Sequence, residues 1–376
     1  MRTERFSTVN PVNQCFAFHS VALFPARPVR GQMTLNKKRI SIKDIAAAAG
    51  VSHPTVSRAL RGEGRMADET RTRILDLAQE LGYTPSLVAR GLVMQQTNTV
   101  GLVVTNYGDP FHAEVAHGIE DEARRNGYSL YIASTEIDPV RELEIVRAFQ
   151  GRQVDGILVS SGRVGREYGD LLRETGIPLV LINAQADDAT LNNVSHDDFG
   201  GAAELVRLLV RQGHRRIAYA GNSLSGLANS ERLRAWRSAL QDAGLEPAVY
   251  AIGPNGGLQG GVIAAEMLLA AARAHWNALP DAIVTYNDTM AIGILRFLRE
   301  QGLTVPDDLS VTGFDDIEIA GYLFPPLTTW RQPRYGMGAT AMRMMLGLIE
   351  ATWPASEKHL VMRGELVNRG STRLRT

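Results

Sequence analysis

Residues 41–60 read Ser41-Ile-Lys-Asp-Ile-Ala-Ala-Ala-Ala-Gly-Val-Ser-His-Pro-Thr-Val-Ser-Arg-Ala-Leu60. Ile42, Ile45, Ala46 and Ala49 recur at helical spacing, and Gly50 stands where that helix would stop. Ser52 then caps a second short helix, which tolerates Pro54 in its first turn and carries Val56 and Leu60 on its apolar face. A third helix, from about Asp68 to Leu81, turns Ile74, Leu75, Ala78 and Leu81 inward and stops at Gly82. Two helices joined through Ala-Gly-Val-Ser, with a third packed behind, spell a helix-turn-helix. In that motif the second helix lies in the major groove of DNA, where its first side chains meet base edges.

The charge distribution points the same way. Forty basic residues balance forty acidic ones over 376 residues, yet the balance is uneven along the chain. Residues 1–36 carry net +3, residues 37–96 carry ten basic and six acidic groups (net +4), and residues 97–376 carry net −7. A basic head on an acidic body is expected where one end of a protein meets a polyanion.

At roughly 150 residues per domain, the length suggests two or three domains. Residues 1–38 show no sustained period and read as a disordered leader, or as sequence upstream of a start at Met33. After Tyr83-Thr-Pro85 comes a fourth short segment, Ser86–Met94, and then the polar linker Gln95-Gln-Thr-Asn98. Apolar strand-like runs follow at Val100–Thr105, Ser129–Ala133, Gly156–Val159, Leu179–Ile182, Ile217–Ala220, Val249–Ile252, Ile283–Tyr286 and Leu309–Thr312. Helical stretches such as Phe111–Asn126, Phe199–Gln212, Ser230–Ala243 and Thr289–Gln301 separate them. Strands alternating with helices imply an α/β body of doubly wound parallel sheets, here in two subdomains. Ligands of such sheets sit outside the carboxyl ends of the strands.

Several function classes are excluded. Cys15 is the single cysteine, so there is no disulfide framework, cysteine-based zinc site or two-cysteine redox centre. No apolar run approaches the ~18–20 residues of a membrane span, and Phe16–Phe24, interrupted by His19 and Ser20, makes a poor export signal. A cytoplasmic protein is expected. Val104-Thr-Asn-Tyr-Gly-Asp-Pro110 lacks the glycines of a dinucleotide fingerprint, and no phosphate-binding loop or nucleophile elbow occurs. His196-Asp197-Asp198 has no second histidine at ligand spacing and reads as a turn entering the helix at Phe199. No cofactor and no metal are expected. The rival readings are an α/β enzyme, or a sugar-binding protein, with an appended DNA-binding head.

The stretch Ser41–Leu60 strongly resembles the start of lactose/galactose-repressor (LacI–GalR) family regulators. The likeness continues through Glu69-Thr-Arg71, Leu81-Gly-Tyr-Thr-Pro85, Val88-Ala-Arg-Gly-Leu92, Asp109-Pro-Phe111, Gly213-His-Arg-Arg-Ile217, Asn287-Asp288, Val311-Thr-Gly-Phe-Asp-Asp316 and Pro325-Pro-Leu-Thr-Thr329. The resemblance implies a helix-turn-helix head at 39–84, a hinge helix and linker at 85–97, and a two-lobed, periplasmic-binding-protein-like body at 98–376. It further implies a homodimeric, non-enzymatic regulator, a repressor of transcription, on a near-palindromic double-stranded operator. Closure of its lobes on a small effector, a sugar or polyol, would set operator affinity. No leucine heptad follows the last strand-like run, Leu360–Leu366, so a dimer is expected, with Pro325–Thr329 near the crossover between lobes.

By position, the resemblance places His53, Pro54 and Arg58 at base-reading sites and Thr55 and Ser57 at phosphate contacts. Arg58 has the best chemistry, because a guanidinium can bridge guanine O6 and N7. Ala89, Arg90 and Leu92 match the hinge that enters the minor groove, with Leu92 as the wedge. In the body, Arg232 matches an arginine that projects into the cleft, and Asp315 matches a carboxylate facing it from the other lobe. Asp109, Phe111, Asn183, Asn287 and Gln332 hold further matching effector positions. Asp109 departs from the usual Asn, which favours hydroxyl-rich or cationic ligands over anionic ones.

Overall fold

The computed structural model describes residues 40–83, 96–160, 176–183 and 191–375. The leader and the hinge segment, with Ala89, Arg90 and Leu92, lie outside the described residues. The chain divides into a unit within residues 1–84 and another within 85–376.

The head consists of α1 (Ile42–Ala49), α2 (His53–Arg61) and α3 (Asp68–Glu80). Asp44 reaches back to accept from the Ser41 N–H at 2.8 Å and the Ser41 hydroxyl at 2.6 Å, which fixes where α1 begins. Gly50 and Gly62 end α1 and α2 at φ 65° and 71°, left-handed values that glycine adopts without steric cost. Ile45, Val56 and Ile74, one from each helix, are wholly buried against one another. Two inward assignments fail. Leu75 is 44% exposed and Leu81 38% exposed, because Leu77 and Ala78 supply the contacts on that part of α3.

The body holds two sheets that are each six-stranded among the described residues. In the first, β1 (Thr99–Val104), β2 (Ser129–Ser134), β3 (Gly156–Ser160), β4 (Leu179–Ile182), β5 (Asn192–His196) and β11 (His359–Met362) run parallel in the order β11-β5-β4-β3-β1-β2. In the second, β12 (Glu365–Val367), β10 (Thr328–Arg331), β9 (Ser310–Asp315), β8 (Ala282–Thr285), β6 (Ile217–Asn222) and β7 (Tyr250–Gly253) lie in that order. β12 alone pairs antiparallel there. Helices α4 (Pro110–Arg125), α5 (Pro139–Gly151), α6 (Asp198–Arg211), α7 (Leu227–Asp242), α8 (Leu258–Trp276), α9 (Asp288–Glu300) and α10 (Arg334–Ile349) cover the sheets. α4 and α10 meet at glycines: a Cβ on Gly118 would lie 2.1 Å from the Tyr335 carbonyl oxygen, and one on Gly338 2.0 Å from that of Val115.

The run Leu360–Leu366, read above as one strand, is two strands in different sheets. β11 pairs with β5 and β12 with β10, and the chain crosses between sheets at Arg363-Gly364. A Cβ on Gly364 would meet the Arg331 carbonyl oxygen at 2.3 Å, so the crossing passes too close to β10 for any side chain. Further crossings among the described residues fall at Asp197 and at Gln332-Pro333. The second of these directly follows the strand that Pro325–Thr329 leads into.

Candidate functional site

The residues that follow the strands converge. Asp109 follows β1, Ser160 ends β3, Asn183 follows β4, Asn222 ends β6, Asn287 follows β8, Asp315 ends β9 and Gln332 follows β10. All of them line one cavity of about 510 Å³ between the two sheets. That volume suits a small organic ligand. All seven effector candidates are in its lining: Asp109, Phe111, Asn183, Arg232, Asn287, Asp315 and Gln332.

Helix capping positions two of them. Asp109 Oδ1 accepts from the Phe111 N–H at 2.9 Å, and Asn287 Oδ1 accepts from the Met290 N–H at 2.8 Å. The remaining polar atom of each side chain is thereby left to the cavity. Phe111 is largely core, 7% exposed, although it also lines the cavity.

Arg232, in the second turn of α7, is 2% exposed. Its Nε donates to Asp198 Oδ1 at 2.7 Å, and a terminal nitrogen donates to the Tyr286 carbonyl. The guanidinium lies 3.7 Å from the Phe314 ring centroid and 4.6 Å from that of Tyr286. Burial pushes the Asp198 carboxyl up, but the Arg232 charge and His196 more than offset this and hold it below the usual carboxylate range. Two sequence readings are corrected here. Asp315 does not face Arg232 from the other lobe: β9 and α7 belong to the same sheet layer, and the carboxylate on the opposite side is Asp109. The His196-Asp197-Asp198 turn does more than enter a helix. Asp197 caps α6, accepting from the Gly200 N–H at 2.7 Å, while Asp198 anchors the cavity arginine.

Asp315, 5% exposed, accepts from Gln332 Nε2 at 2.5 Å. Behind it Asp288 accepts from the Thr329 hydroxyl at 2.6 Å and the Ile317 N–H at 2.8 Å. Burial pushes the Asp288 carboxyl up to about 7, against the pull of those two hydrogen bonds. An unfolded aspartate titrates near 3.9, so the folded chain retains a proton that the unfolded chain has lost. Stability from this group is complete below about pH 4 and is lost as pH rises towards 7. Asp288→Asn, which cannot ionise, is therefore expected to raise the melting temperature at pH 8 more than at pH 5. A difference that does not vary with pH would refute the assignment.

His112, Tyr286 and Asn222 also line the cavity, and sequence reasoning missed them. The His112 ring is held between the Thr105 hydroxyl at 2.6 Å and the Ser160 hydroxyl at 3.0 Å, and burial pushes its pKa down despite the nearby Asp109. Ser225 donates to the Tyr286 hydroxyl at 2.6 Å. Asn222 and Tyr286 could have been found as the residues closing or following a predicted strand; His112 carries no comparable signal.

On the head, His53, Pro54 and Arg58 are exposed, and Thr55 and Ser57 are half-buried. The Thr55 hydroxyl sits 2.8 Å from that of Ser52 and its N–H donates to Ser52 Oγ at 3.4 Å, so Thr55 helps to cap α2. Arg58 Nε makes a long contact, 3.4 Å, to the Pro54 carbonyl. Its charge has no acidic partner among the described contacts, whereas Arg61 pairs with Glu63 at 3.1 Å.

Comparison with known proteins gives consistent matches. Residues 41–86 match the family model for bacterial regulatory proteins of the lacI family, and residues 206–372 match that for a periplasmic binding protein-like domain. The ribose operon repressor of Haemophilus influenzae is 34% identical over 312 residues, covering 82% of this chain and 92% of that protein. Catabolite control protein A of Priestia megaterium is 33% identical over 308 residues, 81% and 91% of the two chains. Among solved structures, the regulator CelR in complex with cellobiose superposes with a TM-score of 0.68 at 29% identity, over 89% of this chain and all of that one. The lac repressor dimer bound to operator shares the fold with a TM-score of 0.79 at 24% identity, over 89% of this chain and 100% of that chain.

Proposed function

This chain belongs to the LacI family of bacterial regulators and is a DNA-binding transcriptional regulator, and on that premise we propose the residues and ligand through which it works. α2 reads the operator with Arg58 and His53, helped by apolar contact from Pro54 and phosphate contacts from Thr55 and Ser57. Ala89, Arg90 and Leu92 act in the minor groove. The protein works as a homodimer, and two-fold symmetry makes its operator near-palindromic. The edge strands β2 and β7 expose Tyr131, Ile132 and Tyr250, apolar surface of the kind a second copy covers. Meeting the chromosome places it in the cytoplasm.

The observation that carries the effector role is the cavity itself. Residues from the carboxyl ends of both sheets share it, so a bound ligand touches both lobes at once and favours one lobe arrangement over another. A sugar or polyol fits its hydroxyl, amide and carboxylate lining. We assign no catalytic step to it. The ribose operon repressor and the CelR–cellobiose complex make D-ribose and cellobiose the natural first probes.

Selection of bound duplexes from a random pool should enrich a near-palindrome. A small molecule that raises the melting temperature should then change affinity for that duplex by about 5- to 150-fold. A pool with no enriched palindrome would overturn the DNA-reading assignment. A ligand that binds the cavity without altering operator affinity would overturn the linkage.

A further inference from the structure

The cavity lining contains carboxylates from both lobes, Asp109 after β1 and Asp315 at the end of β9. Arg232 lies in the same lining, but its Nε is committed to Asp198 and a terminal nitrogen to the Tyr286 carbonyl. Its charge is therefore shared with a carboxylate outside the cavity lining. Asp315 accepts one hydrogen bond, from Gln332, and the Gln332 side chain is 2% exposed with no hydrogen-bond partner for its Oε1. A buried acceptor without a donor is costly, and in a native protein it calls for an explanation. Asp109 uses Oδ1 to cap α4. This part of the cavity thus presents acceptors and negative charge, and it asks for donors and a positive charge.

We propose that the cavity takes an amine-bearing polyol, of which an amino sugar is the simplest kind, with its ammonium seated on Asp315 and Gln332 Oε1 and its charge facing Asp109. An ammonium supplies three donors and one positive charge on a compact centre. A hydroxyl supplies one donor and no charge. The two carboxyl groups on opposite sides of the cavity give the preference a conformational meaning: a cation between Asp109 and Asp315 favours their approach. Burial, with Asp288 and Asp109 nearby, pushes the Asp315 carboxyl well above its usual range against the pull of Arg232 and Arg334, and a cation seated directly on it would favour its ionised form.

The inference rests on the effector role proposed above, and the test separates the two. D-Glucosamine and D-galactosamine are titrated calorimetrically at pH 7 against full-length protein, beside D-glucose, D-galactose and D-gluconate. Each amine is expected to bind about tenfold tighter than its hydroxyl counterpart, the margin of a charge-assisted over a neutral hydrogen bond. Gluconate is expected to bind weakest. The preference should vanish in Asp315→Asn and shrink in Asp109→Asn, two near-isosteric variants whose folding is checked by their melting curves. A neutral sugar that binds as well as its amine, or an amine preference that survives in Asp315→Asn, overturns the amine assignment; if the neutral sugar also shifts operator affinity, the effector role stands. Failure of every probe to bind overturns the amine assignment, while D-ribose or cellobiose binding in the same titration with a shift in operator affinity leaves the effector role standing.

Discussion

Arg232→Ala is expected to destabilise the body by about 3–5 kcal/mol, the usual cost of removing one partner from a buried ion pair. The loss does not come mainly from the vanished attraction. It comes from Asp198, which would be left ionised and buried with only His196 beside it, Nδ1 to Oδ2 at 3.6 Å. The alanine also empties the space between the Phe314 and Tyr286 rings. The double variant Arg232→Met with Asp198→Asn should recover much of the stability, because it removes both charges and refills the slot. Melting temperatures and urea midpoints of the three proteins settle the matter. An Arg232→Ala protein as stable as the parent would mean that the pair is dispensable. The same reasoning makes Arg232→Ala a poor ligand-blind control, since its lower melting temperature reflects folding as well as binding.

Arg58→Ala is expected to reduce discrimination between operator and random duplex by about 1–3 kcal/mol, or about 5- to 150-fold. The side chain is exposed on α2, has no acidic partner among the described contacts, and stands one turn beyond the exposed His53 and Pro54. Competition binding at a fixed salt concentration measures the ratio directly, and salt must be held constant because phosphate contacts alone vary steeply with it. A variant that loses affinity equally for operator and random DNA, with a salt slope reduced by about one, would make Arg58 a phosphate contact.

The head was legible because its determinants are local. Caps at Ser41 and Ser52, glycines at helix ends and apolar residues three or four apart lie within a few positions of what they specify. Strands β1 to β4 and β6 to β9 were legible as apolar runs. β5, Asn-Asn-Val-Ser-His, was not, since its polar residues are buried only through its place between β4 and β11. β10, Thr-Thr-Trp-Arg, escaped for the same reason. Leu75 and Leu81 were misread because helical period alone cannot say how wide a buried stripe the neighbours will cover.

The sequence by itself determined the helix-turn-helix, with its Ser52 cap, and the two-subdomain α/β class. Those features follow from hydrophobic period and from hydrogen bonds to neighbours in the chain. Only the tertiary structure decided which charges meet. Arg232 is bound by Asp198, 34 residues away, and Asp315 shares its lobe while Asp109 opposes it. These relations depend on strand order and on where the chain crosses between sheets, and local spacing contains neither.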